Sequence, residues 1–158
     1  MLEPIQQWIC DSCSEIISTH EQGYVEWMET DKKMHSFRIV HHAPYSPRKQ
    51  KGSSCYYANS ERGGDLHLRD LVGAQGLLIL TSWIDRGEWH TSKYEGPRVR
   101  DLREWTTLCR RLQVPYYEEA RRYREELSEV YSDGANEIYL YLPETLKHII
   151  EEHESKAA

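Results

Sequence analysis

The chain has 158 residues, a formal net charge of −6 and 39% hydrophobic residues, a composition typical of a soluble globular protein rather than a disordered one. Its longest apolar run, residues 77–80, is far shorter than the roughly 20 residues of a membrane-spanning helix, and residues 1–7 lack the features of a signal peptide. We therefore expect a cytoplasmic protein with no membrane partner, and the negative charge disfavours indiscriminate nucleic-acid binding.

A C-x2-C pair near the start of the chain is the strongest chemical motif. Cys10 and Cys13 are followed by the apolar run that ends in His41 and His42, and then by Cys55. Three thiolates and one imidazole are a common ligand set for tetrahedral zinc. His42 lies next to the loop that leads to Cys55, so we favour it as the fourth ligand. His41 is the alternative, although it shares a strand face with apolar residues and could be a core imidazole.

The predicted cofactor is a structural Zn2+ ion. Thiolate-rich ligand sets are typical of closed structural sites, and although Glu15 and Glu26 could be placed nearby, neither lies in a spacing typical of catalytic zinc. A disulfide framework is disfavoured because such bonds are rare in a reducing compartment. Cys109 belongs to the apolar stripe of a helix, so we expect it to pack in the core and not to bind metal.

The fold class is predicted as α+β. Residues 24–28 and 37–42 alternate and are rich in β-forming side chains, so they should form a hairpin beneath the cysteine pair, as in zinc ribbons. We place this zinc-ribbon-like module at residues 1–62, where a polar stretch ends it.

Residues 63–158 should form a bundle of four to five helices that packs on this module. Asp65 is the predicted N-cap of a short helix. The glycines at 73 and 76 are predicted to interrupt the chain between this helix and a second one. Leucine, tryptophan and valine spacing over 99–112 indicates an amphipathic helix. Residues 116–127 and 146–150 continue the helical pattern, whereas 138–142 fits a strand or a helix equally well.

One alternative function is DNA binding. Residues 102–127 have the apolar stripe and the turn of a helix-turn-helix unit, whose second helix would present Arg121, Arg122 and Arg124 to nucleic acid. Neighbouring glutamates at helical spacing could equally engage these arginines in internal ion pairs.

A second alternative rests on a resemblance. A C-x2-C pair, a strand ending in two histidines, an asparagine and a further histidine together resemble the ββα-metal (HNH-like) nucleases. That resemblance implies His42, or His41, as general base, His67 in a helix as metal ligand, and Asn59 as the residue that holds the loop. The usual second complete cysteine pair is missing here, since Cys55 stands alone.

The function that we favour is that of a small non-enzymatic regulatory or adaptor protein stabilised by zinc. No phosphate loop, dinucleotide motif or Ser-His-Asp arrangement is present. The 11 Tyr and 5 Trp residues, against 1 Phe, are typical of surfaces that contact other proteins. We expect another protein as the partner, with nucleic acid as the alternative.

Overall fold

The computed structural model describes residues 1–48, 54–57, 62–87, 96–132 and 138–157. Within these ranges the chain forms two small antiparallel sheets and five α-helices, which confirms the predicted α+β class. The strands are β1 Trp8–Ile9, β2 Ile16–Ile17, β3 Gly23–Thr30, β4 Lys33–His41 and β5 Gly64–His67, and the helices are α1 Gly73–Ser82, α2 Leu102–Gln113, α3 Tyr117–Ala120, α4 Arg124–Ser132 and α5 Pro143–Ala157. None of the helices in the described ranges has the length and apolar character to cross a membrane.

The predicted hairpin is present as β3 and β4. Thr30 pairs with Lys33, so the loop contains only Asp31 and Lys32, and both have positive φ angles (51° and 61°). Positive φ at both loop positions matches the right-handed twist of the flanking strands. Val25, which pairs with a buried residue of β4, has no exposed surface, because this face of the hairpin packs on the helices.

The prediction of a short helix capped by Asp65 is wrong. Gly64–His67 forms the third strand of the sheet, in the order β4-β3-β5, and a 3-10 turn at Leu68–Asp70 follows it. The free edge of β3 offers the backbone partners that favour the strand. Gly64 allows the close approach, because a Cβ there would lie 2.7 Å from the ring of Trp27. Tertiary pairing therefore overrides the leucine spacing that suggested a helix.

The glycines at 73 and 76 begin a helix and do not interrupt one. Gly73 has a φ angle of 67° at the start of α1, and Gly76 is buried against the preceding turn. A Cβ at Gly76 would lie 2.2 Å from the carbonyl oxygen of Leu71. The glycine is thus a packing requirement of the helix start, and α1 extends over residues that the sequence predicted as an interruption.

Helix α2 confirms the amphipathic prediction and covers the sheet. The Asp101 carboxylate caps it by accepting a hydrogen bond from the Arg103 amide at 2.7 Å, and Leu108 and Leu112 are buried.

The main core contains residues from β1 to β5 and from α1 and α2, so it includes residues from both sides of the predicted boundary at residue 62. A second core consists of Ala120, Leu146, Ile149 and Ile150. The two-module division and the ribbon-like character of the first module stay predictions.

The helix predicted over residues 116–127 is broken into two short ones. Tyr116 has a left-handed φ of 68°, α3 is only four residues long, and α4 begins at Arg124. Residues Tyr139–Tyr141 form a 3-10 helix before α5, so the undecided segment 138–142 is neither a strand nor an α-helix. A helix-turn-helix unit would need a continuous second helix, and residues 117–132 do not form one.

Buried charges join the start of the chain to the helices. Arg111 of α2 is 6% exposed, and its guanidinium lies 2.6 Å from Glu118 of α3 and 2.6 Å from Asp11. Glu118 also accepts a hydrogen bond from the Ile9 amide at 3.1 Å, and the Trp8 indole donates to the Arg111 carbonyl at 3.1 Å. Burial opposes ionisation of Glu118, but Arg111 and then Arg121 outweigh it and lower the pKa of its carboxyl. The network therefore fixes the segment that carries Cys10 and Cys13.

Breaking this network should be costly. We expect Glu118→Ala to lower the free energy of unfolding by roughly 3 kcal/mol, because removing one partner of a buried ion pair leaves the other charge uncompensated. Glu151→Ala is the matched control, since Glu151 forms an exposed pair with Lys147 at 3.6 Å and should cost at most about 0.5 kcal/mol. Urea unfolding of both variants measures the difference. Equal losses would contradict the cost expected when Arg111 is left buried without its partner.

Candidate metal centre

Cys10 and Cys13 lie in a tight turn between β1 and β2. The Cys10 carbonyl accepts a hydrogen bond from the Ser14 amide at 2.9 Å, and the Cys10 amide donates to the Glu15 carbonyl at 3.0 Å. Ser14 has a φ of 66°, the left-handed conformation for which glycine is the usual residue. The turn thus forms in spite of its serine, and it places both thiols on one side of the loop.

The structure brings four sequence-predicted residues together. Their ligand atoms, in Cys10, Cys13, His41 and Cys55, all lie within 4.8 Å of one another. His41 Nδ1 is 3.4 Å from the Cys13 sulfur and 4.0 Å from the Cys55 sulfur. Ligand atoms around a tetrahedral zinc ion lie about 3.5–3.8 Å apart, given bonds of roughly 2.1 Å to nitrogen and 2.3 Å to sulfur. The cluster therefore has the size of a metal site.

The preference for His42 over His41 is corrected by this arrangement. His41 is on the core face of β4, and the cysteine turn lies along that strand, with the Asp11 amide 2.8 Å from the Ile39 carbonyl. The His42 ring instead lies 4.6 Å from the ring of Tyr24. Successive strand residues point to opposite faces, so only one of the two histidines can meet the thiols. The apolar face that seemed to make His41 a core residue leads directly to the site.

A hydrogen bond from the ring nitrogen that faces away from the thiols orients the His41 ring. Its Nε2 lies 3.2 Å from the Ile16 carbonyl oxygen, which accepts the Nε2–H, so Nδ1 is the ring nitrogen that faces the thiols. Metal-binding histidines commonly have their other ring nitrogen held in this way. The ring is therefore oriented so that a metal ion could take the place of a proton on Nδ1.

A fully buried carboxylate holds the segment around Cys55. Glu26 accepts hydrogen bonds from the Arg38 guanidinium and from the Tyr57 amide, the latter at 3.0 Å. Arg38 also stacks on the Tyr57 ring and donates to the Cys55 carbonyl at 3.3 Å. The Ser46 hydroxyl lies 3.1 Å from the Cys55 sulfur. The cysteine is thus fixed by contacts to β3 and β4, and Glu26 is fully engaged in them.

The thiols do not ionise equally. Burial disfavours a charge on Cys10, but hydrogen bonds from His41 and from the amides of Cys13 and Ser12 outweigh it and lower the Cys10 pKa to about 6. Burial, together with the neighbouring thiols of Cys10 and Cys55, raises the pKa of Cys13 to about 12. The group accommodates one thiolate easily and resists a second, because like charges repel. A divalent cation would supply the positive charge that lets all three thiols ionise.

The residues of the nuclease hypothesis are placed differently from its expectation. His67 is in strand β5 and not in a helix, which corrects that part of the hypothesis. The rings of His42 and His67 are nevertheless neighbours, with centroids 5.7 Å apart. Asn59 lies outside the described residues.

The three arginines predicted to contact nucleic acid differ in their exposure and in their ion pairs. Arg121 pairs with Glu118 at 3.1 Å and with Asp11 at 3.5 Å, so its guanidinium is engaged within the molecule. Arg122 and Arg124 are exposed at the junction between α3 and α4.

Cys109 lies in α2 outside the metal cluster, half-buried against the main core, and burial raises its pKa to about 12.

Sequence reasoning missed the acidic residues that support the site. Asp11, inside the C-x2-C pair, accepts a hydrogen bond from the Ile39 amide at 2.7 Å and pairs with Arg111. Glu26 was considered only as an acid or base beside the metal. Its position between apolar residues of a predicted strand was the available signal, because a charge there needs a buried partner.

No family model, curated protein or solved structure matches this chain. Functional inference therefore rests on the geometry of the described residues.

The two histidines should behave differently towards metal. We expect His41→Ala to weaken metal binding by more than about 100-fold, because even outer-shell changes commonly cost 10–100-fold. His42→Ala, one residue away, should bind as tightly as the wild type at the cysteine cluster. Competition with a chromophoric chelator measures both affinities. A larger loss in His42→Ala than in His41→Ala would refute the assignment of His41.

Proposed function

We propose that this protein is a small zinc-binding protein in which Cys10, Cys13, His41 and Cys55 hold one structural Zn2+ ion. The observation that carries the proposal is the convergence of these four side chains within 4.8 Å. Three thiolates and an imidazole match the preference of zinc for sulfur and nitrogen ligands, whereas magnesium and calcium prefer oxygen.

A structural role is favoured over a catalytic one by burial. Cys10, His41 and Cys55 are 1%, 4% and 0% exposed, whereas a catalytic zinc ion keeps a coordination position open to water or substrate. Glu26 cannot act as a free base because its carboxylate is occupied by Arg38 and Tyr57. A zinc ion here would link the β1-β2 turn, the end of β4 and the segment of Cys55, which are distant in sequence.

We further propose a non-enzymatic regulatory or adaptor role with a protein partner. The net charge of −6 opposes the approach of nucleic acid. One of the three candidate contact arginines, Arg121, is already neutralised by Asp11 and Glu118. Both facts favour a protein partner over a nucleic acid.

The zinc proposal is tested with a pair of cysteine variants. We expect one zinc per chain in the wild type and in Cys109→Ser, and none in Cys10→Ser. Cys10→Ser should also lose its cooperative thermal unfolding transition, because metal binding and folding are coupled in such sites. Elemental analysis and thermal unfolding of the purified proteins provide the two readouts. A wild-type protein that is folded and free of zinc would refute the proposal.

The DNA-binding alternative makes a contrary prediction. A protein that reads DNA would bind duplex with an affinity that falls steeply with salt, and Arg122→Ala with Arg124→Ala would flatten that dependence. We expect no measurable salt-dependent duplex binding at micromolar protein. Fluorescence anisotropy over a range of salt concentrations checks this, and steep binding that is lost in the double variant would favour the DNA-binding function instead.

A further inference from the structure

A group of aromatic and imidazole rings lies on the other side of the sheet end from His41. Tyr24 of β3 pairs directly with His67 of β5, and their rings are 4.0 Å apart. The His42 ring lies 4.6 Å from Tyr24 and 5.7 Å from His67. Two imidazoles are thus held close together outside the cysteine cluster.

The hydrogen bonding of His67 is incomplete. Its Nε2 lies 2.5 Å from the Tyr24 hydroxyl oxygen, whereas its Nδ1 is buried and has no hydrogen-bond partner among the described residues. Buried polar atoms are almost always satisfied, so an orphaned nitrogen indicates a missing water, ion or ligand.

The pattern at His67 repeats the one at His41. In each ring Nε2 lies against an oxygen, that of Tyr24 or of Ile16. His41 Nδ1 then faces the thiols of the cysteine cluster, whereas His67 Nδ1 has no hydrogen-bond partner among the described residues. When Nε2–H is donated to that oxygen, Nδ1 carries a lone pair and the ring orientation is fixed. This is the outer-shell arrangement of metal-binding histidines.

The His42 ring lies at a distance from His67 that suits a second imidazole ligand. Its ring makes no side-chain hydrogen bond to another described residue, so its nitrogens are available. Two imidazoles on one ion have ring centroids about 5–6.5 Å apart, given metal–nitrogen bonds of roughly 2.1 Å. The observed 5.7 Å falls in that range.

We infer that His42 and His67 form a second metal site, for a divalent ion that favours imidazole, such as Zn2+, Co2+ or Ni2+. Two protein ligands hold an ion less tightly than the four of the cysteine cluster. The second ion should therefore bind more weakly than the first and exchange more readily. The inference goes beyond the proposed structural role and does not depend on it.

The test is a Co2+ titration of the full chain after zinc loading. Equilibrium dialysis with elemental analysis counts both metals, and the absorption spectrum shows whether cobalt has entered the thiolate cluster, where it would give a strong charge-transfer band. We expect the wild type to bind one Co2+ in addition to its zinc, without that band. His42→Ala and His67→Ala should each weaken the cobalt affinity at least about tenfold, and Tyr24→Phe should do so about tenfold.

His20→Ala is the matched control, because the His20 side chain is 41% exposed and pairs with Glu21 at 2.9 Å. It should bind cobalt as the wild type does. Absence of a second ion in the wild type, unchanged binding in both His42→Ala and His67→Ala, or an equal loss in His20→Ala would each overturn the inference. Zinc content is measured separately, so failure of the cysteine site remains distinguishable from failure of this one.

A second readout needs no variant. In the wild type, imidazole 15N NMR should show the His67 ring protonated at Nε2, and excess Zn2+ should shift the ring nitrogens of His42 and His67 but not those of His20. Equal shifts in all three would indicate adventitious surface binding and contradict a built site.

Discussion

The contact between the cysteine turn and the edge of β4 is the constraint on which the rest of the structure depends. The Asp11 amide and carboxylate bond to both backbone groups of Ile39, so the turn completes an edge that would otherwise remain open. The same carboxylate pairs with Arg111 of α2. One acidic residue thereby aligns Cys10 and Cys13 with His41 and ties them to the helices.

Buried charged pairs fix the segments that carry the thiols. Asp11, Arg111 and Glu118 fix the cysteine turn, whereas Glu26 and Arg38 fix the segment of Cys55. Such pairs contribute little net stability, because desolvation offsets the attraction, but they tolerate few alternative arrangements. Preorganisation of this kind lowers the conformational cost of collecting four metal ligands from distant parts of the chain.

The two faces of the sheet at the end of β4 carry different kinds of side chain. His41 faces the three cysteine thiols, two of which are buried, and His42 faces tyrosine and a second histidine. The alternation of strand side chains makes this separation possible over adjacent residues. A four-ligand site suited to a permanent ion and a two-ligand site suited to an exchangeable one would then lie side by side in a small fold.

The sequence by itself determined the α+β class, the β3-β4 hairpin, the amphipathic helix α2 and three of the four clustered side chains, because spacing and periodicity are local properties. The choice between His41 and His42 depended on which face of β4 the cysteine turn covers, and that is a tertiary contact. Likewise, Gly64–His67 became a strand because β3 offered a free edge, and the helix after Pro115 was broken at residues held by Glu118. Local propensities differ by about 1 kcal/mol or less, so long-range pairing and buried charge decided these positions.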